Sequence, residues 1–236
     1  FGAVNTDPEI TAYITRLGNK IVQAASESPS NFEFFLVTDK SVNAFAMPGG
    51  YIGIHTGLIA ASQSESELAS VLAHEVGHVT QRHIARRFGQ QKQTSLVATA
   101  AMIAALLVAG SNPQAASGLM AAGAGYSIDQ QLSFSRDAER EADRVGFLTL
   151  QQAGFDTQGM VDFFGRLQTA SRLYENNAPS YLRTHPLTTE RIADIRNRAG
   201  LEGRPVRNQA QNSLSFELIR VKSIVFAERS NQQLAD

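Results

Sequence analysis

His74, Glu75 and His78 form a His-Glu-x-x-His pattern inside Val71-Leu72-Ala73-His74-Glu75-Val76-Gly77-His78-Val79-Thr80. On a helix, residues four apart lie about 40° apart around the axis and one turn apart along it. His74 and His78 therefore project the same way and can grip one metal ion. Glu75 sits about 100° round from His74, within reach of a water on that ion without binding the ion itself. Two imidazoles holding zinc, and a carboxylate that takes a proton from water, imply hydrolytic chemistry. Catalytic zinc takes three protein ligands and keeps one position open, so a third ligand has to come from elsewhere in the chain.

His83 is five residues beyond His78, a rotation of about 500°, which turns it away from His74. The pattern with a third histidine six residues on, preceded by a turning glycine, is absent. His83 is expected to be a surface or capping histidine. The alternative is Asp137-Ala138-Glu139-Arg140-Glu141-Ala142-Asp143-Arg144. Glu139 and Asp143 share a helix face, and Ala142 with Gly146 forms a small strip that lets this helix lie close to a neighbour. Glu139 can then ligate zinc. Asp143, one turn on, can accept a hydrogen bond from a ligating histidine and fix its tautomer. Glu141 is expected to face solvent.

The elements that must position these groups can be read from periodicity. Ser64 and Glu67 make a capping box ahead of the metal helix. Leu68, Val71, Leu72, Val76 and Val79 give it apolar spacing, and it is expected to run to about Phe88. Gly77 in a helix interior costs about 1 kcal/mol relative to alanine, which predicts a close packing partner. Residues 6–27 read as a helix started by Thr6 or Asp7 with Pro8. Residues 32–37, 43–47 and 51–55 read as strands, with Pro48-Gly49-Gly50 turning between the last two. Asn43, Ala44 and Phe45 are the expected substrate edge, where an extended peptide could add as a strand. His55 is expected to be structural.

Residues 96–109 are almost wholly apolar, fewer than the roughly 20 needed to span a bilayer. Gly110 to Pro113 break the run, and residues 115–124 resume as a small-residue helix. The expectation is a buried helical hairpin; a membrane-touching hairpin or a mobile cover over the site is the alternative, with Gly118, Gly123 and Gly125 permitting motion. Helices are further expected at 131–153 (ended by Gly154), at 157–174 (capped by Asp156) and at 189–198 (ended by Gly200). Residues 201–212 read as a linker, and 213–229 as an amphipathic helix belonging to a following domain.

The bulk properties exclude some classes. The chain has 236 residues and a net charge of -1, so nothing pulls it globally toward nucleic acid. It has no cysteine, which leaves histidine and carboxylate as metal ligands. The first residue is Phe, so a processed or trimmed product, with any signal peptide out of view, is expected. The fold class expected is α+β and mainly helical, with a small sheet beside the metal helix.

Four ordered motifs carry a family resemblance: Asn43-Ala44-Phe45-Ala46 with Pro48-Gly49-Gly50; His74 through His83; Glu139-Arg140-Glu141-Ala142-Asp143-Arg144-Val145-Gly146; and Thr184-His185-Pro186-Leu187. Over residues 1–200 the sequence resembles the HtpX/CAAX-protease family of zinc metallopeptidases, and within it the periplasmic BepA-like branch of Gram-negative bacteria. The resemblance implies a gluzincin-like zincin domain with one zinc ion per chain. His74, His78 and Glu139 are its implied ligands and Glu75 its base. His185 is implied as a fourth ligand or as a stabiliser of the oxyanion; the oxyanion role is the expectation, and an imidazole that binds zinc directly and keeps the enzyme off is the alternative. It also implies that a tetratricopeptide-repeat domain follows, residues 201–236 being its linker and first helix. The expected function is endopeptidase clearance of misfolded or stalled outer-membrane proteins, with contact to the outer-membrane assembly machinery through that repeat domain and possible peripheral membrane contact through 96–124. The alternative is a chaperone-like assembly factor with suppressed proteolysis.

Overall fold

The computed structural model describes residues 3–25, 31–173, 179–201 and 212–232. In chain order the elements are β1 (Ala3–Asn5), α1 (Pro8–Ala24), β2 (Glu33–Thr38), β3 (Ala44–Met47), β4 (Tyr51–His55), α2 (Thr56–Ala61), α3 (Glu65–Thr80), α4 (His83–Ala109), α5 (Pro113–Gln152), α6 (Gln158–Leu173), α7 (Tyr181–Thr184), α8 (Thr189–Leu201) and α9 (Leu214–Gln232). They make two compact units. One runs to Gln81 and resumes at Arg140; the other is Arg82–Glu139.

The first unit is built on a mixed sheet of order β1-β2-β4-β3. β2 and β4 are parallel, Phe34 opposite Ile52 and Leu36 opposite Ile54, while β3 returns antiparallel to β4. β1 escapes a hydrophobic reading because it is three residues long; it pairs antiparallel with β2. α1 starts where Asp7 Oδ1 accepts from the Glu9 and Ile10 amides at 3.1 and 3.0 Å. Ile10, Ile14, Leu17 and Ile21 then form its buried stripe.

α3 is the centre of this unit. Every residue from Glu67 to His78 is buried, so it is a core helix on all faces. Ser64 Oγ accepts from the Glu67 amide at 3.1 Å, as the capping box predicts. The returning bond differs: Glu67 Oε2 accepts from Gln63 N at 2.6 Å, not from Ser64. α3 stops at Thr80, short of the expected Phe88. Arg82 takes φ 54°, the left-handed region unusual for a side-chain-bearing residue, and a new helix begins at His83.

Other boundaries moved as well. Pro113–Gln152 form one continuous helix, α5, in place of the two segments expected at 115–124 and 131–153. α8 continues through Gly200 to Leu201. The linker expected at 201–212 falls almost entirely outside the described residues. α9 buries Phe216 and Ile219 in the core of the first unit, and Lys222 Nζ ties it to Asp7 and Glu9 at 2.8 and 2.6 Å. Its opposite side leaves Leu214, Leu218, Val221 and Val225 exposed.

The second unit contains α4 and the first part of α5. The buried-hairpin expectation is overturned there. Of α4 only His83 and Ala105 are buried, and Leu96, Met102, Ile103, Leu106 and Leu107 are exposed. An apolar run reads the same in sequence whether protein or another medium covers it, and here protein does not. α4 is also long and apolar enough to cross a membrane, by length and composition. His83 is buried at the first residue of α4, which overturns the surface half of the surface-or-capping expectation.

Candidate metal centre

α3 and the C-terminal part of α5 meet through their small residues. A Cβ on Gly146 would fall 3.0 Å from His74 N, and one on Gly77 would fall 3.1 Å from the Ala142 carbonyl oxygen. Both glycines are thus required by backbone approach, which accounts for Gly77 in a helix interior. This approach brings Asp143 to His74: Asp143 Oδ1 lies 3.0 Å from His74 Nδ1. With Nδ1 donating to the carboxylate, His74 Nε2 keeps its lone pair for a ligand.

His74 Nε2 faces two further imidazoles. His78 Nε2 is 3.0 Å from it and His185 Nδ1 is 3.3 Å from it. Ligand atoms of His74, His78, Glu139 and His185 all lie within 4.8 Å of one another, and all four residues are buried. Glu139 lies on α5 one turn before Asp143. Glu75 is fully buried next to them. Among the described residues its carboxylate oxygens have no hydrogen-bond partner; His185 Nε2 stands 3.4 Å from Oε1.

The donor set fits a divalent cation. Three imidazole nitrogens and a carboxylate oxygen suit zinc. Glu75, Glu139 and Asp143 are all buried at or beside these imidazoles, and a divalent cation at the convergence of donors would sit out of bulk water among ligand types suited to it.

Several of the supporting residues were not singled out in the sequence. Arg191, on α8, grips Asp143 with a two-pronged contact: Nε to Oδ2 at 2.6 Å and an Nη to Oδ1 at 2.8 Å. Its other Nη donates to the Pro186 carbonyl at 2.7 Å, which fixes the residue next to His185. Burial alone would raise the Asp143 carboxyl, but the Arg191 and His74 hydrogen bonds outweigh it and hold it below the usual carboxylate range. Tyr181 stacks on the His185 ring at 4.5 Å between centroids. The one sequence signal for Arg191 is its place beside Ile192 and four before Ile195 on the apolar face of α8. Nothing local marks Tyr181.

Glu141, expected in solvent, is half-buried. His55 is buried, its Nδ1 2.9 Å from Ser41 Oγ and its ring edge-on to Phe45. Asn43, Ala44 and Phe45 lie at the sheet's edge, since β3 pairs only with β4 among the described strands. β3 also packs on α3, so the free edge runs beside the helix that carries His74 and Glu75.

The family model described as Peptidase family M48 matches residues 8–199. The chain is 45% identical over 196 residues to the putative beta-barrel assembly-enhancing protease of Vibrio cholerae, covering 83% of this chain and 40% of that protein. It is 37% identical over 228 residues to the beta-barrel assembly-enhancing protease of Escherichia coli, covering 97% of this chain and 46% of that protein. Similarity extends to the E. coli metalloprotease LoiP, at 30% identity over 198 residues, 83% of this chain and 73% of that protein. The chain spans less than half the length of the first two relatives.

Proposed function

Because the chain belongs to peptidase family M48, we propose that it is a zinc-dependent endopeptidase, with His74, His78 and Glu139 as ligands and Glu75 as general base. The observation that carries this is the buried convergence of four ligand atoms within 4.8 Å, with the buried Glu75 carboxylate beside them. Zinc, when bound, supplies a Lewis acid that brings the pKa of water toward about 7. Glu75 accepts the proton from the attacking water and returns it to the leaving amine. Asp143 holds His74 in the tautomer that offers Nε2, and Arg191 holds Asp143. The sheet edge at Asn43, Ala44 and Phe45 pairs with the substrate backbone, which gives affinity with little side-chain selectivity.

His185 is read as a fourth donor that holds the enzyme off. Its Nδ1 stands among the donors, 3.3 Å from His74 Nε2. That favours a second reading alongside the first: an assembly factor whose proteolysis is suppressed until His185 moves. Substrates are inferred to be misassembled outer-membrane proteins in the periplasm, because the relatives in Vibrio cholerae and Escherichia coli bear the name beta-barrel assembly-enhancing protease. Contact with the assembly machinery is assigned to a following repeat domain. The exposed stripe Leu214, Leu218, Val221 and Val225 on α9 has the spacing a neighbouring helix would cover.

The test compares digestion of casein by the wild type, Glu75→Gln and His185→Ala, with metal content measured for each. Glu75→Gln should keep its zinc and lose cleavage, and His185→Ala should cleave faster. Equal cleavage by wild type and Glu75→Gln would remove the mechanism. Slower cleavage by His185→Ala would make this residue an oxyanion partner instead of a brake.

A further inference from the structure

Within residues 82–139, α4 and α5 form an antiparallel hairpin that turns between Ala109 and Pro113. Gln90 Nε2 donates to the Gln130 carbonyl at 3.1 Å near its base. Farther along, a Cβ on Gly123 would fall 2.7 Å from the Ala101 Cβ. The helices therefore touch through Ala98, Ala101 and Gly123, with Ala105 and Ala116 buried near them. The large apolar residues point the other way: Leu106 is 72% and Leu107 81% exposed, and Leu96, Met102 and Ile103 join them. α5 adds Met120 and Ile128.

This arrangement is the reverse of a water-soluble hairpin, which buries large apolar side chains between its helices. Small residues inside and large ones outside is how helices pack in lipid, where close approach takes the place of hydrophobic collapse. At 100° per residue the exposed apolar positions of α4, with Val97 among them, cover an arc of roughly 220°. A single groove on a partner protein cannot cover that arc, whereas a lipid medium covers it without shape matching.

Further features fit the same medium. No charged residue occurs between Gln93 and Ile128. Thr94, Ser95, Thr99, Ser111 and Ser127 each donate to a carbonyl three or four residues back, so these hydroxyls need no water. Below the uncharged stretch, Arg82 at the N-cap of α4 and Arg86, Arg87 and Lys92 on it are all exposed. α5 adds Arg136, against Asp129 and Asp137, so the base is net basic. A cleft of about 350 Å³ at this level is lined by Arg87, Gln90, Gln91 and Ser95. From Gln93 to Ala109 the helix reaches about 25 Å, comparable to the roughly 30 Å hydrocarbon core of a bilayer.

We propose that the α4–α5 hairpin enters an anionic lipid bilayer tip first and holds its basic base at the headgroups. The proposal does not depend on the protease reading, because its readout is lipid binding. The chain has no cysteine, so Leu107→Cys can carry a single polarity-sensitive fluorophore and Lys92→Cys the matching label at the base. The whole chain is floated with vesicles of phosphatidylethanolamine and phosphatidylglycerol, and separately with pure phosphatidylcholine. Co-flotation is expected with the anionic vesicles, with a blue shift at position 107 larger than at 92. A Leu106→Lys/Leu107→Lys variant, changed only at exposed positions, should bind at least tenfold more weakly with unchanged circular dichroism. An Arg86→Ser/Arg87→Ser/Lys92→Ser variant should lose the preference for anionic lipid. No flotation of the wild type, or undiminished binding by the double lysine variant, overturns the proposal. Equal binding to both vesicle types overturns the anionic assignment. Lipid-free self-association that the double lysine variant abolishes, without vesicle binding, would give this face to a second copy of the chain.

Discussion

Arg191 offers the sharpest test of how the site is held together. Its guanidinium and the Asp143 carboxylate are almost fully buried and meet at 2.6 and 2.8 Å. Arg191→Leu removes the cation and keeps apolar bulk beside the Phe164 ring, over which the guanidinium lies at 5.3 Å. Asp143 is then a buried carboxylate with only the neutral His74 ring as partner, and the Pro186 carbonyl loses a donor. Breaking a buried pair this way costs about 3–5 kcal/mol. At roughly 2–4 °C per kcal/mol for a chain of this size, the melting temperature should fall by roughly 6–20 °C. The assay is thermal unfolding followed by circular dichroism, in EDTA to remove metal linkage, at pH 8, above the ordinary histidine range. Adding Asp143→Asn removes the stranded charge, so the double variant should melt above Arg191→Leu alone. A fall of less than about 2 °C for Arg191→Leu, or a double variant that melts far below the single, would refute the idea that a stranded carboxylate sets the cost.

The other expectations concern ligands, packing and pH. Glu139→Ala should lower zinc content sharply while Glu141→Ala leaves it near wild type, as read by metal analysis after dialysis; the opposite result would reassign the carboxylate ligand. Gly146→Ala should lower the melting temperature despite the better helix propensity of alanine, because its Cβ would press on the His74 backbone at 3.0 Å. A loss of about 1–3 kcal/mol is expected, and a stabilised variant would show that the two helices can separate freely. Burial pushes the His55 pKa down, more than nearby Asp39 raises it. In the window below about 6.5 the unfolded chain therefore binds more protons than the folded one. His55 thus stabilises fully above the ordinary histidine range, and that contribution is lost as pH falls toward its lowered folded value. In EDTA, the melting temperature of wild type should drop more steeply between pH 7.5 and 5 than that of His55→Gln; parallel curves would count against it.

The local geometry of the site was legible because it follows from helix periodicity. His74 and His78 four apart, Glu75 between them, and Glu139 with Asp143 four apart are fixed once each segment is helical. The small residues Gly77, Ala142 and Gly146 signalled close helix contact, and they meet backbone to backbone. The strands near 32–37, 43–47 and 51–55 were also readable, from alternation and the Pro48-Gly49-Gly50 turn.

Arg191 and Tyr181 have no local pattern, because their roles come from contacts with residues dozens of positions away: Arg191 reaches Asp143, and Tyr181 stacks on a loop histidine. That His185 stands among the donors, and that β3 lies at the edge beside α3, are likewise consequences of packing. The hairpin shows the difference most clearly. Composition determined that residues 96–109 are apolar and helical, since side-chain type and spacing act within a few turns. Only the tertiary structure decided that the alanines face inward and the leucines outward, because burial depends on what the rest of the chain places against a helix.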